Sequence, residues 1–100
     1  MNNKTIYIAG KITDNPTYQD DFAEAVLKLR EKGYEHIINP CCLSVLNLSY
    51  EQYMAVDFTF IDISDEVYFL KNWEDSHGAQ REYMYAVLKN KKLIFEKDKK

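Results

Sequence analysis

The segment Asn72-Trp73-Glu74-Asp75-Ser76-His77-Gly78-Ala79, followed three residues on by Glu82, is the part of this 100-residue chain whose residue types and spacing best suit chemistry. If Ser76 caps a helix that begins near His77, the backbone N–H groups of its first turn are free to hold an anion such as a phosphate. Glu82 falls four residues after Gly78 and three after Ala79, hence on the same helical face. Helical side chains lean toward the N-terminus, so its carboxylate projects over the two smallest residues of the helix. The space they leave admits a ligand close to the backbone with Glu82 at its edge. The alternative is that Gly78 and Ala79 only let the helix pack on a sheet, with Glu82 solvated or paired with Lys89 or Arg81.

Asp57 lies four residues after Tyr53 in a stretch crowded with apolar groups. A carboxylate there either faces solvent or points into the same crevice, where it would polarise a ligand hydroxyl or raise the pKa of Glu82 by like-charge repulsion. Gly10-Lys11 invites a phosphate-loop reading, but the first glycine of that motif is missing and Ile12 stands where its metal-binding hydroxyl belongs. Lys11 remains available to a phosphate as a point charge. His36 and His77 lack metal-ligand spacing, and no acidic triad accompanies them, so no metal and no cofactor are expected. Ser76 and His77 are sequence neighbours, an arrangement that rarely aims both side chains at one proton. Trp73 is either a stacking surface for a base or a hydrophobic plug on its loop.

These residues need elements to hold them. Residues 5–9 (TIYIA) read as a strand that ends at Gly10, and Asp14-Asn15-Pro16-Thr17 supplies turn and cap residues. Phe22, Val26 and Leu29 set an apolar stripe on a helix over 18–32, stopped by Gly33. Residues 36–39 form a second strand ended by Pro40, and a loop over 41–48 follows. Ser49-Tyr50-Glu51-Gln52 has the form of a capping box and opens a helix over 50–63. Met54, Phe58 and Ile61 make one apolar stripe on it and Tyr53, Val56 and Phe60 another, so this helix is sandwiched or meets a partner. Residues 66–70 are a third strand, 71–76 a polar loop, 77–90 a third helix and 92–95 a fourth strand. Glu96 onward is a charged tail with nothing to bury. A single domain over 1–96 with a frayed tail at 97–100 is expected.

The order β-α-β-α-β-α-β, with right-handed crossovers, implies an α/β fold: three layers, a mainly parallel four-stranded sheet with helices on both faces. In such sheets the ligand crevice lies outside the carboxyl ends of the strands. That rule selects Gly10-Lys11-Ile12, the segment from Pro40, and the stretch 72–79.

Composition narrows the class further. With 46% apolar and 14% aromatic residues and only three Gly and two Pro, disorder and fibrous folds are excluded. A net charge of −3, thirteen basic against sixteen acidic residues, offers no electrostatic footprint for a nucleic-acid polymer. The opening residues carry neither a signal-peptide pattern nor a membrane span, so no membrane partner and a cytoplasmic location are expected. Adjacent Cys41 and Cys42 suit neither a disulfide framework nor a zinc site.

The stretches Tyr7-Ile8-Ala9-Gly10, Asn39-Pro40, Tyr53-Met54-Ala55-Val56-Asp57, Asp65 and Trp73 through Glu82 together resemble the nucleoside 2-deoxyribosyltransferase-like superfamily. They are most similar to a small bacterial and phage branch of it (DUF4406-like), over most of residues 5–95. The resemblance implies a Rossmann- or flavodoxin-like minimal deoxyribosyltransferase fold. It also implies that Glu82 attacks the anomeric carbon of a nucleoside or nucleotide, that Tyr7 orients this nucleophile and that Asp57 holds the sugar. Ser76 and Gly78 match a loop that contacts a 5′-phosphate, and Gly10, Lys11, Trp73 and Ala79 join the expected substrate-binding set. Asp57 or Asp75 would protonate the departing base. The family further implies a homodimer or higher homo-oligomer, whose partner subunit completes each site.

The functional expectation is an N-glycosidase or 2-deoxyribosyltransferase acting through a carboxylate nucleophile, since such a nucleophile splits displacement at an acetal carbon into two steps. The alternatives are a catalytically inactive nucleotide-binding or sensing module of the same fold, and an oligomeric interaction protein.

Overall fold

A computed structural model describes residues 2–97 of the chain. Strands β1 (Asn2–Ala9), β2 (Tyr34–Ile38), β3 (Glu66–Phe69) and β4 (Lys92–Phe95) alternate with helices α1 (Tyr18–Glu31), α2 (Tyr50–Asp62) and α3 (His77–Leu88). All strand pairs are parallel, in the order β2-β1-β3-β4. The chain therefore turns back across β1, and α1 covers one face of the sheet while α2 and α3 cover the other.

The alternation of side chains along a strand sorts the core into two layers. Ile6 and Ile8 of β1, with Tyr68 and Leu70, pack on Phe22, Ala25 and Leu29 of α1. Tyr7 and Ala9, with Val67 and Phe69, face Ile61 of α2 and Ala86 of α3. Every residue of β3 is buried, as a central parallel strand covered on both faces must be. Tyr7 pairs with Ile38 on one side and Val67 on the other, so this tyrosine is fixed in the middle of the sheet.

The expected helices and strands form, with differences at their ends. The α1 stripe is carried by Ala25 rather than Val26, which is only half-buried. Gly33, at φ 95°, reverses the chain after α1, and Asn90, at φ 59°, does so after α3. The amides of Asn90 and Lys91 donate to the carbonyls of Val87 and Ala86 and close α3 before the expected residue 90. Asn39 is not a strand residue: its side chain accepts from the amide of Cys41 and caps a 3-10 turn, Pro40–Leu43, in what was expected to be plain loop. The capping box at the start of α2 is complete, Ser49 Oγ accepting from Gln52 N and Gln52 Oε1 from Ser49 N. This helix packs on the sheet through Ile61 and against α3 beside it, with Phe58 stacked on Tyr85 at 4.4 Å.

Glu96 corrects the expectation of a tail with nothing to bury. Its amide donates to Phe69 O, Lys28 Nζ donates to its Oε2 at 2.9 Å, and Lys71 N donates to its Oε1 at 3.0 Å. The end of β4 is thereby tied to α1 and to the exit of β3. Residues 98–100 of the expected tail lie outside the described residues. Among the described residues no helix is long and apolar enough to cross a membrane.

Candidate active site

A cavity of about 310 Å³ opens at the carboxyl ends of β1 and β2, between the first turns of α1, α2 and α3. Its floor carries Tyr7, Asp57 and Glu82. Three elements deliver them: β1 supplies the tyrosine, α2 the aspartate and α3 the glutamate. Glu82 is 4% exposed and Tyr7 fully buried, and the Tyr7 hydroxyl donates to Glu82 Oε2 at 2.7 Å. Asp57 is half-buried, and its Oδ1 is buried without a hydrogen-bond partner.

The electrostatics of this trio follow from burial. Loss of solvent raises the Glu82 carboxyl well above its ordinary value, the nearby Asp57 charge raises it further, and the Tyr7 hydroxyl opposes both. Asp57 is raised by its own burial, with Glu82 and Tyr7 pulling the other way. The Tyr7 phenol is pushed up by burial and by the two carboxylates, so it stays a neutral donor. Two buried carboxyls this close favour sharing a proton over carrying two charges.

Ser76, Gly78 and Ala79 form one wall and Gly10 another. Ser76 caps α3, its Oγ accepting from Ala79 N at 3.1 Å. A Cβ on Gly78 would make ordinary contacts with Met54 Sδ at 3.4 Å, Tyr50 Oη at 3.7 Å and Ser76 Oγ at 3.9 Å, so a methyl fits there without a clash. A Cβ on Gly10 would lie 2.6 Å from Leu70 Cδ1, which makes glycine a packing requirement where β1 meets the exit of β3. Neither candidate partner of Glu82 reaches it: Arg81 is bonded to Glu51 at 3.1 Å and stands over the rings of Tyr50 and Phe58, and Lys89, just past the end of α3, stands over Tyr85.

Lys11 and Trp73 do not line the cavity. The amide of Lys11 donates to Asn72 Oδ1, which ties the loop after β1 to the loop after β3. Trp73 stacks on Tyr83 at 4.9 Å and packs on Phe69 and Phe95, the plug of the two readings. Asp75 is exposed and also lies outside the cavity.

The sequence reading missed much of the aromatic and apolar wall. Tyr18 and Phe22 of α1, Tyr50, Tyr53 and Met54 of α2, and Leu43 with Ser44 in the intervening loop all line the cavity. The rule that selected the loops at strand carboxyl ends applies equally to the first turns of the helices that follow, which is where Tyr18, Tyr50 and Tyr53 sit. Cys41 lines it too, and burial pushes its thiol up to about 11, away from the reactive thiolate form. No cluster of metal-ligating side chains is present among the described residues.

The chain belongs to the family described as Domain of unknown function (DUF4406), whose model matches residues 4–95. Its fold is that of the deoxyribosyltransferases. A solved structure of a 2-desoxiribosyltransferase from Leishmania mexicana is similar with a TM-score of 0.70 at 21% sequence identity, covering 92% of this chain and 63% of that one. This chain thus spans less than two thirds of the length of that protein. No functionally curated protein sequence matches it.

Proposed function

We propose that this chain cleaves or transfers the N-glycosidic bond of a nucleoside or nucleotide, with Glu82 as nucleophile. The observation that carries the reading is the buried bond from Tyr7 to Glu82 beside an Asp57 oxygen with no partner, on the floor of a cavity. A carboxylate hidden among apolar groups needs a reason to be there, and covalent catalysis at an acetal carbon supplies one.

In the first step a carboxylate oxygen of Glu82 attacks the anomeric carbon. The carbon–nitrogen bond breaks and the base leaves with its electron pair, taking a proton from an acid. Asp57 is the acid in this reading: it shares the cavity, and burial favours its protonated form, whereas Asp75 is exposed. In the second step water, or the nitrogen of a second base, attacks the same carbon, Glu82 departs as carboxylate, and the proton of the attacking group returns to Asp57. Tyr7 holds Glu82 Oε2 throughout, which orients the nucleophile and stabilises its charged form. The fold shared with a 2-desoxiribosyltransferase supports the same chemistry.

The test is chromatography of free base after incubation with a panel of nucleosides and 5′-monophosphates. Base release that disappears in Glu82→Gln is expected. No release at high enzyme concentration, or release undiminished in that variant, refutes the reading.

A second reading, a module that binds such a ligand without turning it over, is favoured by the raised Glu82 carboxyl, since a protonated acid is no nucleophile. It predicts ligand-induced thermal stabilisation with no product at any pH.

We further propose a homo-oligomer built on α3. Met84, Val87 and Leu88 leave apolar groups there 65%, 47% and 77% exposed. A monomeric mass by light scattering at tens of micromolar would contradict it. Free Cys41 and Cys42 support a reducing, cytoplasmic setting.

A further inference from the structure

We infer that the cavity takes an uncharged nucleoside with a free 5′-hydroxyl and discriminates against the corresponding 5′-monophosphate. This rests on the glycosyl reading of the same site and narrows it. The charges carry the argument: two carboxylates, Glu82 and Asp57, line the cavity, and no lysine, arginine or histidine lines it among the described residues.

The cations that a phosphate would need are turned elsewhere. Arg81, adjacent in sequence to Glu82, is ion-paired with Glu51 on the outside of α2. Lys11 follows Gly10 yet stays out of the lining, and His77 is exposed on the first turn of α3. The favourable feature that remains for an anion is the amino end of α3, equivalent to about half a positive charge. One of its amides, that of Ala79, is already taken by Ser76 Oγ. A phosphomonoester brings a charge of roughly −1.5 to −2. Even if the carboxyl pair retains one proton, at least one negative charge faces it across the cavity.

The remaining walls suit a neutral ligand. Tyr18, Phe22, Tyr53 and Met54 offer apolar and ring surface, and Thr13 and Ser44 offer hydroxyls that both donate and accept. A base and a hydroxylated sugar can be held by such groups without a charged contact.

The experiment compares the common deoxynucleosides and ribonucleosides with their own 5′-monophosphates, measuring binding by calorimetry and base release in the same samples. The expected result is at least about tenfold weaker binding of the monophosphate, a gap that narrows as salt is raised. Ser44→Lys, which places an ammonium on an exposed lining position, should shrink or reverse the gap. Equal or tighter binding of monophosphates, with base released from them, overturns this inference and leaves the glycosyl reading standing. Preferred binding of nucleosides with no base released supports the inference and removes the glycosyl reading. Failure of every nucleoside and monophosphate to bind overturns both.

Discussion

The hydroxyl of Tyr7 and the carboxylate of Glu82 meet at 2.7 Å although 75 residues separate them in the chain. One group belongs to a central strand and the other to the last helix, so their contact exists only once the sheet and both covering helices have assembled. It also sets two opposed influences on one acid: burial and Asp57 raise Glu82, and the phenol lowers it. Each influence can be removed by one substitution that preserves shape.

Tyr7→Phe keeps the ring in the core near Phe60 and deletes the donor. The carboxyl of Glu82 then rises further, so the acid limb of the pH–rate profile moves to higher pH. Activity at neutral pH should fall roughly 10- to 1000-fold, and the unmet oxygen should lower stability by about 1–3 kcal/mol. An unmoved acid limb would show that the phenol does not act on Glu82.

Asp57→Asn works in the reverse sense on the same limb. Removing the like charge lets Glu82 ionise more readily, so the limb shifts to lower pH. Turnover nonetheless drops, because the proton for the departing base is gone. The loss should be large for ordinary nucleosides and small for a synthetic glycoside whose leaving group departs unprotonated. Equal losses on both would remove Asp57 from the role of acid.

Glu82→Gln separates catalysis from folding. In the native chain this carboxyl titrates above its ordinary 4.5, so the folded state holds a proton that the unfolded chain has released. Native stability therefore falls as pH climbs from 4.5 toward the raised value. The neutral amide abolishes that dependence and can still accept from Tyr7. At neutral pH the variant should melt above the parent, and the two should converge near pH 4. Base release should fall by roughly 10³-fold or more. A variant less stable than the parent at pH 8 would contradict the placement of a costly buried acid.

Two glycine-to-alanine changes should have opposite readouts. Gly10→Ala drives a methyl into the Leu70 side chain and should destabilise by about 1–3 kcal/mol. Gly78→Ala meets nothing nearer than Met54 Sδ at 3.4 Å and replaces a helix-weakening residue, so stability holds or rises. Its methyl enters the cavity and should raise KM. Thermal melts and steady-state kinetics on the pair decide both.

Elements were legible in the sequence where the local signal and the tertiary demand coincide: the capping box at Ser49, the reversal at Gly33, the apolar residues 67–70. Ends were less so, because the choice between one more turn and a stop depends on partners such as the carbonyls that fix Asn90. Helical spacing placed Glu82 over Gly78 and Ala79 but was silent on its partner. The resemblance pointed to Tyr7, and only the three-dimensional pairing of β1 under α3 gives the distance. Lys11 and Trp73 illustrate the remaining gap: both sit at the correct end of the sheet, yet neighbours decide which way they face. For Trp73 those neighbours are Phe69, Tyr83 and Phe95, drawn from three separate elements.

The place of Tyr7 between β2 and β3 in the hydrogen-bonded ladder governs how the site can fail. Its backbone can shift only if the middle of the sheet comes apart, an opening that in a small domain is close to global unfolding. Amide exchange at Tyr7 should be among the slowest in the molecule. Loss of the acid–phenol geometry under denaturant should be all-or-none with the loss of the fold, leaving no half-open form in which the pocket has loosened and the sheet survives.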